Sequence, residues 1–486
     1  MKMRERDIVF IINPSLWYQN MYPSGILYLS GYLEFGGFNN IILDSKISSK
    51  KIERSQREKM ILSRINKIRP KIVCFSASHR EFDEVVRMNN EIKKIDDDIV
   101  TIVGGSQPTY RGEDFLGNGF NFVCIGEGEV TLYEFVKEVL NKSYRWEKID
   151  GLGWKSKEGN IFNQPRRLVN EDTINSVAIP PYDKIDKRYF DINVGTIRGL
   201  PLKGALLLTT RGCPFSCSYC GCNLIFGRKL RFKSLENIER EIKYLRDHYD
   251  IEGIWIVDDT FTIKEDHAIS VSMILKKHNM IWGCQSRVDT INEKLIKIMK
   301  ESGCVQIDFG VESGSQRILD DVIGKRTDIA QIIRAFSLAR KYKIRTLANF
   351  MIGLPTETYD DIKKTEKIAD LINANVYLFA IATPLPGTRL YDMVNEEISP
   401  HEYSLLDWNG SILTEKLNKS KIKNLVLEKD KLHKKYFPRT MMKSILSMGN
   451  YLFFFKRKYK YQRAKFVFNY FTKYIRESFN EKYFNK

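Results

Sequence analysis

The sequence predicts an α/β protein of two parallel sheets in series: an open doubly wound sheet, then a six-fold (β/α) partial barrel, then a basic helical tail. Three observations predict it. Short apolar runs alternate with helix-length stretches from the start of the 486-residue chain, as parallel strands joined by helical crossovers require. The alternation breaks once, at 146–200, and resumes from 205. Fifteen of the eighteen net positive charges fall in residues 415–486, where 20 Lys/Arg meet five Asp/Glu, so the basic character belongs to a tail and not to the body.

The first 145 residues supply five strand-like runs: IVFII (8–12), IILD (41–44), KIVCFSA (71–77), IVTIVGG (99–105) and FNFVCIG (120–126). Helical patterns at 25–37, 51–68 and 81–95 separate the first four. This is the pattern of a flavodoxin-like or Rossmann-like sheet, which binds ligands beyond the carboxyl ends of its strands. The loops there hold Asn13-Pro14, Ser76–His79, Gly104-Gly105 and Gly126-Glu127-Gly128. Residues 146–200 are expected to be a connecting segment, with a hairpin in GLGWKSKEGNIF turning at Glu158-Gly159.

From 205 six strand-then-helix repeats follow. ALLLTT (205–210), GIWIVDD (253–259), IWGCQSR (281–287), CVQIDFGVES (304–313), IRTLANFMIGLP (344–355) and VYLFAIATPLPG (376–387) are the strands. The helices are expected at 234–249, 265–278, 291–301, 327–342 and 358–372, the first with Ser234 as N-cap and Asn237 at N3. A full eight-fold barrel needs roughly 250 residues, more than 205–395 offers. The expected domains are 1–145, a connector at 146–200, a partial barrel at 201–400 and a helical basic region at 401–486.

Composition excludes several classes. With 43% hydrophobic and 12% aromatic residues, the chain is globular. Eight cysteines in this length are too few for a disulfide scaffold. The apolar run at 8–12 is too short for a signal segment, and no window reaches about 18 apolar residues. The expected compartment is the cytoplasm, where clustered cysteines point to metal or redox chemistry.

The cluster is RGCPFSCSYCGCN (211–223), directly after a strand. Cys213, Cys217 and Cys220 are spaced C-x3-C-x2-C. Three thiolates so close can hold three corners of an iron–sulfur cubane, whose fourth ligand is often distant. A zinc site calls for two separated pairs, and no second pair is nearby. Cys222 is badly placed to replace one of the trio and is expected to be a packing residue. Cys284 and Cys304 lie in apolar strands and are expected to be buried and inert.

C-x3-C-x-aromatic-C after the first barrel strand, with Tyr219 in the aromatic slot, resembles the radical S-adenosylmethionine (radical SAM) superfamily. The resemblance implies a [4Fe–4S] cluster on Cys213, Cys217 and Cys220 whose open iron binds SAM. One-electron cleavage then yields a 5′-deoxyadenosyl radical that abstracts a substrate hydrogen. It further implies SAM contacts from Tyr219, from Asp258 and Asp259 in WIVDDTFT (255–262), from Arg287 in CQSRVD and from Glu312 in GVESGS. Each keeps a plainer alternative: helix-capping acids for the aspartates, a surface ion pair for Arg287, a glycine-rich turn for 310–315. GLP (353–355) and TPLPGTRLY (383–391) either shape the barrel mouth or are plain turns.

The N-terminal half resembles the cobalamin-binding branch of that superfamily, through INPS, PSGILYLSGYLEFGG, VGGSQPT and IGEGEVTLYEFV in order. This implies cobalamin at the carboxyl edge of the first sheet. Gly104, Gly105, Gly126 and Gly128 would let backbone approach it, and His79 lies near the expected site. No Asp-x-His-x-x-Gly is present, so cobalamin would bind without that histidine ligand. The branch implies methyl transfer to an unactivated carbon. A cyclase, an oxygen-inserting enzyme and a non-catalytic cluster protein are the alternatives. A methylthiotransferase is disfavoured, because Cys74 and Cys124 cannot form a second trio.

Residues 440–474 mix aromatic and basic side chains. They pack on the barrel, lie at an anionic membrane surface or, least favoured, contact nucleic acid. The membrane alternative would put the chain at the inner face of the membrane with a lipophilic substrate. Expected partners are a small-molecule or lipid substrate and a reductant such as flavodoxin or ferredoxin.

Overall fold

The computed structural model describes residues 7–13, 21–44, 46, 53–394, 398–403 and 423–449. Seven strands form the first sheet: β1 (Ile8–Ile12), β2 (Ile41–Asp44), β3 (Ile72–Ser76), β4 (Val100–Gly104), β5 (Phe122–Cys124), β6 (Leu152–Ser156) and β7 (Gly159–Phe162). Their order is β2-β1-β3-β4-β5-β6-β7. The first five are parallel, and all five predicted strands are present. Every residue of β1 is buried, because helices Ser24–Phe35, Arg54–Ile68, Phe82–Ile95 and Glu129–Asn141 cover the two faces of the sheet.

The expected connector is different. The hairpin β6–β7 pairs antiparallel with β5 and extends the first sheet. Its turn is Lys157-Glu158, since Ser156 pairs with Gly159. Gly153 fits there because a Cβ would collide with Phe162 and Val123.

A short hairpin, β8 (Asn193–Ile197) and β9 (Leu200–Leu202), leads into the second sheet. That sheet is six parallel strands in sequential order: β10 (Gly204–Leu207), then β13 (Gly253–Ile256), β14 (Ile281–Ser286), β15 (Cys304–Glu312), β16 (Arg345–Ile352) and β17 (Val376–Ile381). Between β10 and β13 a two-stranded ribbon of β11 (Thr210–Arg211) and β12 (Arg231–Phe232) ties off the base of the cysteine loop. The predicted strand 205–210 is therefore two strands, split at Leu208-Thr209. The helix Leu235–Tyr249 starts as predicted, with the Ser234 hydroxyl accepting from Asn237 N at 3.2 Å.

The helix Leu425–Gly449 covers β17, the free edge of the second sheet. His433 Nε2 lies 3.0 Å from Phe379 O, Tyr436 is buried, and Lys435 and Arg439 pair with Asp370. This part of the basic region packs on the barrel. Residues 450–474, the rest of the segment with the membrane and nucleic-acid alternatives, lie outside the described residues, as does Pro14. Among the described residues no helix is long and apolar enough to cross a membrane.

Candidate functional site

The cysteine loop leaves β11 at Arg211 and returns at β12. Gly212 turns it sharply with φ +92°, where a Cβ would collide with Lys229 O. Cys213 N donates to Gly227 O at 3.1 Å, and Cys220 N to Cys217 O at 3.2 Å. The three sulfurs open onto one cavity of about 470 Å³ inside the barrel mouth. Burial pushes the Cys213 thiol up and the Cys220 thiol up to about 11. Among the described residues no three His, Cys, Asp or Glu groups converge on a single ion. Three cysteines of one short loop lining one cavity suit a multi-iron cluster, and Cys74, Cys124, Cys284 and Cys304 are buried elsewhere.

Charged side chains share the cavity with the cysteines. Asp259 lines the cavity from the loop after β13, and Glu312 does so from the end of β15. Glu312 has φ +67°, unusual for a residue with a side chain, and the β15–β16 register shifts between Gly310 and Glu312. Its Oε1 accepts from Tyr219 Oη at 2.9 Å and from Lys325 Nζ at 2.8 Å. Gly310 is small for a reason: a Cβ there would collide with Glu312 Oε1 and lie 2.8 Å from Lys325 Nζ. The structure thus brings Tyr219, Glu312 and the unpredicted Lys325 together. Lys325 stands thirteen residues from Glu312 in no recognisable pattern.

Arg287 lines the same cavity, stacked 3.6 Å above the Phe215 ring. It makes two bonds to Asp289, at 2.9 and 2.6 Å, and Nη1 lies 3.6 Å from Cys217 Sγ. It is therefore held against the cysteine loop rather than on the surface.

Asp258 is the exception. Its carboxylate is 0% exposed and does not reach the cavity. It accepts from Thr209 N at 2.6 Å, Thr210 Oγ1 at 2.8 Å and the Thr209 hydroxyl. Burial raises its pKa to about 6 against these hydrogen bonds. It fixes the break between β10 and β11. Cys222 also departs from expectation: its Sγ donates to Asp259 Oδ2 at 2.7 Å.

A second cavity, of about 340 Å³, lies at the carboxyl edge of the first sheet. Gly104, Gly105, Gly126 and Gly128 line it with mostly apolar neighbours. A Cβ on Gly126 would meet nothing within 4 Å, so its backbone faces open space, whereas Gly105 (φ +105°) abuts Ala77 O. Arg211, Ile225 and Phe226 of the cysteine loop close this cavity from the barrel side. His79 is not in it; it lines the cysteine cavity instead. The glycine-lined, largely apolar walls are chemically suited to a corrin-type ligand such as cobalamin.

Residues 207–369 match the description of the Radical SAM superfamily, and residues 17–136 match a B12 binding domain. An uncharacterized methyltransferase of Pyrococcus horikoshii is 34% identical over 332 residues, covering 68% of this chain and 70% of the relative. The chain belongs to the radical SAM superfamily. A second relative is an anaerobic magnesium-protoporphyrin IX monomethyl ester cyclase of Rubrivivax gelatinosus. It is 26% identical over 397 residues, 79% of this chain and 68% of the relative. The fold is similar to that of the radical S-adenosylmethionine methyltransferase TsrM from Kitasatospora setae, solved with cobalamin and a [4Fe-4S] cluster bound. The TM-score is 0.65 at 18% identity, covering 79% of this chain and 74% of that one. This radical SAM enzyme therefore combines a domain that implies a [4Fe–4S] cluster and SAM with a domain that implies cobalamin. Radical SAM enzymes act on small-molecule substrates and need a reductant.

Proposed function

We propose that this radical SAM enzyme transfers a methyl group from SAM to an unactivated carbon of a small molecule. The observation that carries the reading is that one loop separates the two cavities. Its cysteines face the barrel cavity, while Arg211, Ile225 and Phe226 close the cavity of the first domain. In this reading Cys213, Cys217 and Cys220 hold the cluster. Asp259 and Glu312 attract the SAM ammonium, and Lys325 and Arg287 attract its carboxylate, as charge-assisted hydrogen bonds favour. Tyr219 orients Glu312. Gly104, Gly105, Gly126 and Gly128 admit cobalamin, and His79 stands on the side of the first domain that faces the cysteines. When bound, the cluster with SAM supplies the hydrogen-abstracting radical and cobalamin supplies the methyl carrier.

The cavity walls include Phe350, Met351, Leu378 and Ile381 beside Arg198, Asp308 and Asn349. That mixture supports an amphipathic substrate with one polar end. A low-potential flavodoxin or ferredoxin is the proposed electron donor.

Anaerobic reconstitution with iron, sulfide and hydroxocobalamin, followed by SAM and a strong reductant, tests the reading. Methyl transfer predicts both 5′-deoxyadenosine and S-adenosylhomocysteine. The cyclase-type alternative, which the Rubrivivax relative supports, predicts 5′-deoxyadenosine alone. A protein that binds no iron or cleaves no SAM contradicts both.

A further inference from the structure

The cysteine loop is anchored at both ends by carboxylates of the other domain. Arg211 lies two residues before Cys213, and Arg231 closes the far end. The two are direct partners in the β11–β12 register, where like charges repel. Glu127 bridges them, with Oε1 3.2 Å from Arg211 Nη1 and Oε2 2.5 Å from Arg231 Nη1. Glu129 Oε1 adds a contact of 2.6 Å to Arg211 Nη1. All four side chains are at most 8% exposed, so losing one partner strands a buried charge. Arg211 also lies 5.6 Å from the centre of the Tyr28 ring, on helix Ser24–Phe35.

The clasp is also a cavity wall. Tyr28, Glu127, Glu129, Arg211 and Phe226 all line the first-domain cavity of about 340 Å³. A ligand filling that cavity would lie against residues from both sides of the clasp, and it favours the joined arrangement to the extent that it binds it better than the parted one. The same arrangement holds the ends of the loop that presents Cys213, Cys217 and Cys220.

We propose that Glu127 and Glu129 are positioning residues for the cluster loop, and that through them cobalamin binding in the first domain and cluster assembly in the barrel strengthen each other. The proposal rests on the cobalamin reading of that cavity. Linkage requires the effect to be equal in both directions: whatever factor the cluster adds to cobalamin affinity, cobalamin adds to cluster affinity.

The test is equilibrium dialysis of the full chain against hydroxocobalamin, with bound cobalt measured for iron-free and cluster-reconstituted protein. The expected result is binding at least about fivefold tighter with the cluster. Hydroxocobalamin should correspondingly slow iron loss to a chelator. In Glu129→Gln the ratio should fall toward one while hydroxocobalamin still binds. Equal affinity of the two wild-type forms overturns the linkage, and this comparison needs no variant to fold. An undiminished ratio in Glu129→Gln overturns the role of the clasp. Failure of both forms to bind hydroxocobalamin overturns the proposal together with the cobalamin reading, which separates the two failures.

Discussion

The Tyr219 hydroxyl donates to Glu312 Oε1 at 2.9 Å, joining the cysteine loop to the end of β15 across 93 residues of chain. The same oxygen accepts from Lys325 at 2.8 Å. Tyr219→Phe removes one donor and leaves the other. A hydrogen bond to a charged group contributes about 1.5–3 kcal/mol. Titration calorimetry of the cluster-loaded protein should show SAM binding weakened by up to about tenfold, with iron per chain unchanged. Unaltered SAM affinity would remove Tyr219 from the site.

Four cysteines crowd the loop, and three of them face the cavity. Cys213→Ser, Cys217→Ser and Cys220→Ser should each lose most of the iron and sulfide bound after reconstitution. Cys222→Ser should keep both, since its thiol bonds Asp259 and a hydroxyl can make the same donation. Iron and sulfide analysis decides it: loss in Cys222→Ser equal to that in Cys220→Ser would make Cys222 a ligand.

Adjacent aspartates have opposite tasks. Asp258 accepts three hydrogen bonds where β10 breaks into β11, and Asp259 faces the cavity. Asp258→Ala should lower Tm by about 5 °C or more, as loss of a buried acceptor for several donors implies. Asp259→Asn should leave Tm near wild type and weaken SAM binding. Thermal unfolding beside SAM titration separates the two, and a reversed pattern would exchange their assignments.

The strands were legible because parallel strands buried on both faces are continuous apolar runs. The cysteine spacing was legible because it is local. Asp258 bonds Thr209 and Thr210 while Asp259 lines the cavity, and two identical adjacent side chains in a loop carry no local signal that tells one role from the other. The hairpin Leu152–Phe162 was visible as a hairpin, but nothing in its residues names β5 as its partner. Glu127 and Arg211 are 84 residues apart, and Glu127 and Arg231 are 104 apart. A charge pair of that separation has no period to reveal it. In IGEGE the glycines line the first-domain cavity, and Glu127 and Glu129 pair with the arginines at the two ends of the cysteine loop.

Glu357, in the loop after β16, gives the protein a pH-dependent stability unrelated to the cluster. Its side chain is 0% exposed. Oε2 accepts from Gly353 N at 2.5 Å and Leu354 N at 3.2 Å, while Oε1 is buried with no partner. Burial raises its pKa to about 8 despite those two bonds. An acid whose pKa is higher folded than unfolded binds more protons in the native state. Its contribution is complete below the unfolded value of about 4.5 and is lost progressively as pH rises from there through about 8. The full swing is on the order of 5 kcal/mol. Glu357→Gln keeps an oxygen acceptor for Gly353 and cannot ionise. Chemical denaturation from pH 5 to 9 should show wild-type stability falling relative to Glu357→Gln, with the variant the more stable above pH 8. Parallel curves across that range would mean that Glu357 ionises in the native loop as easily as in the unfolded chain.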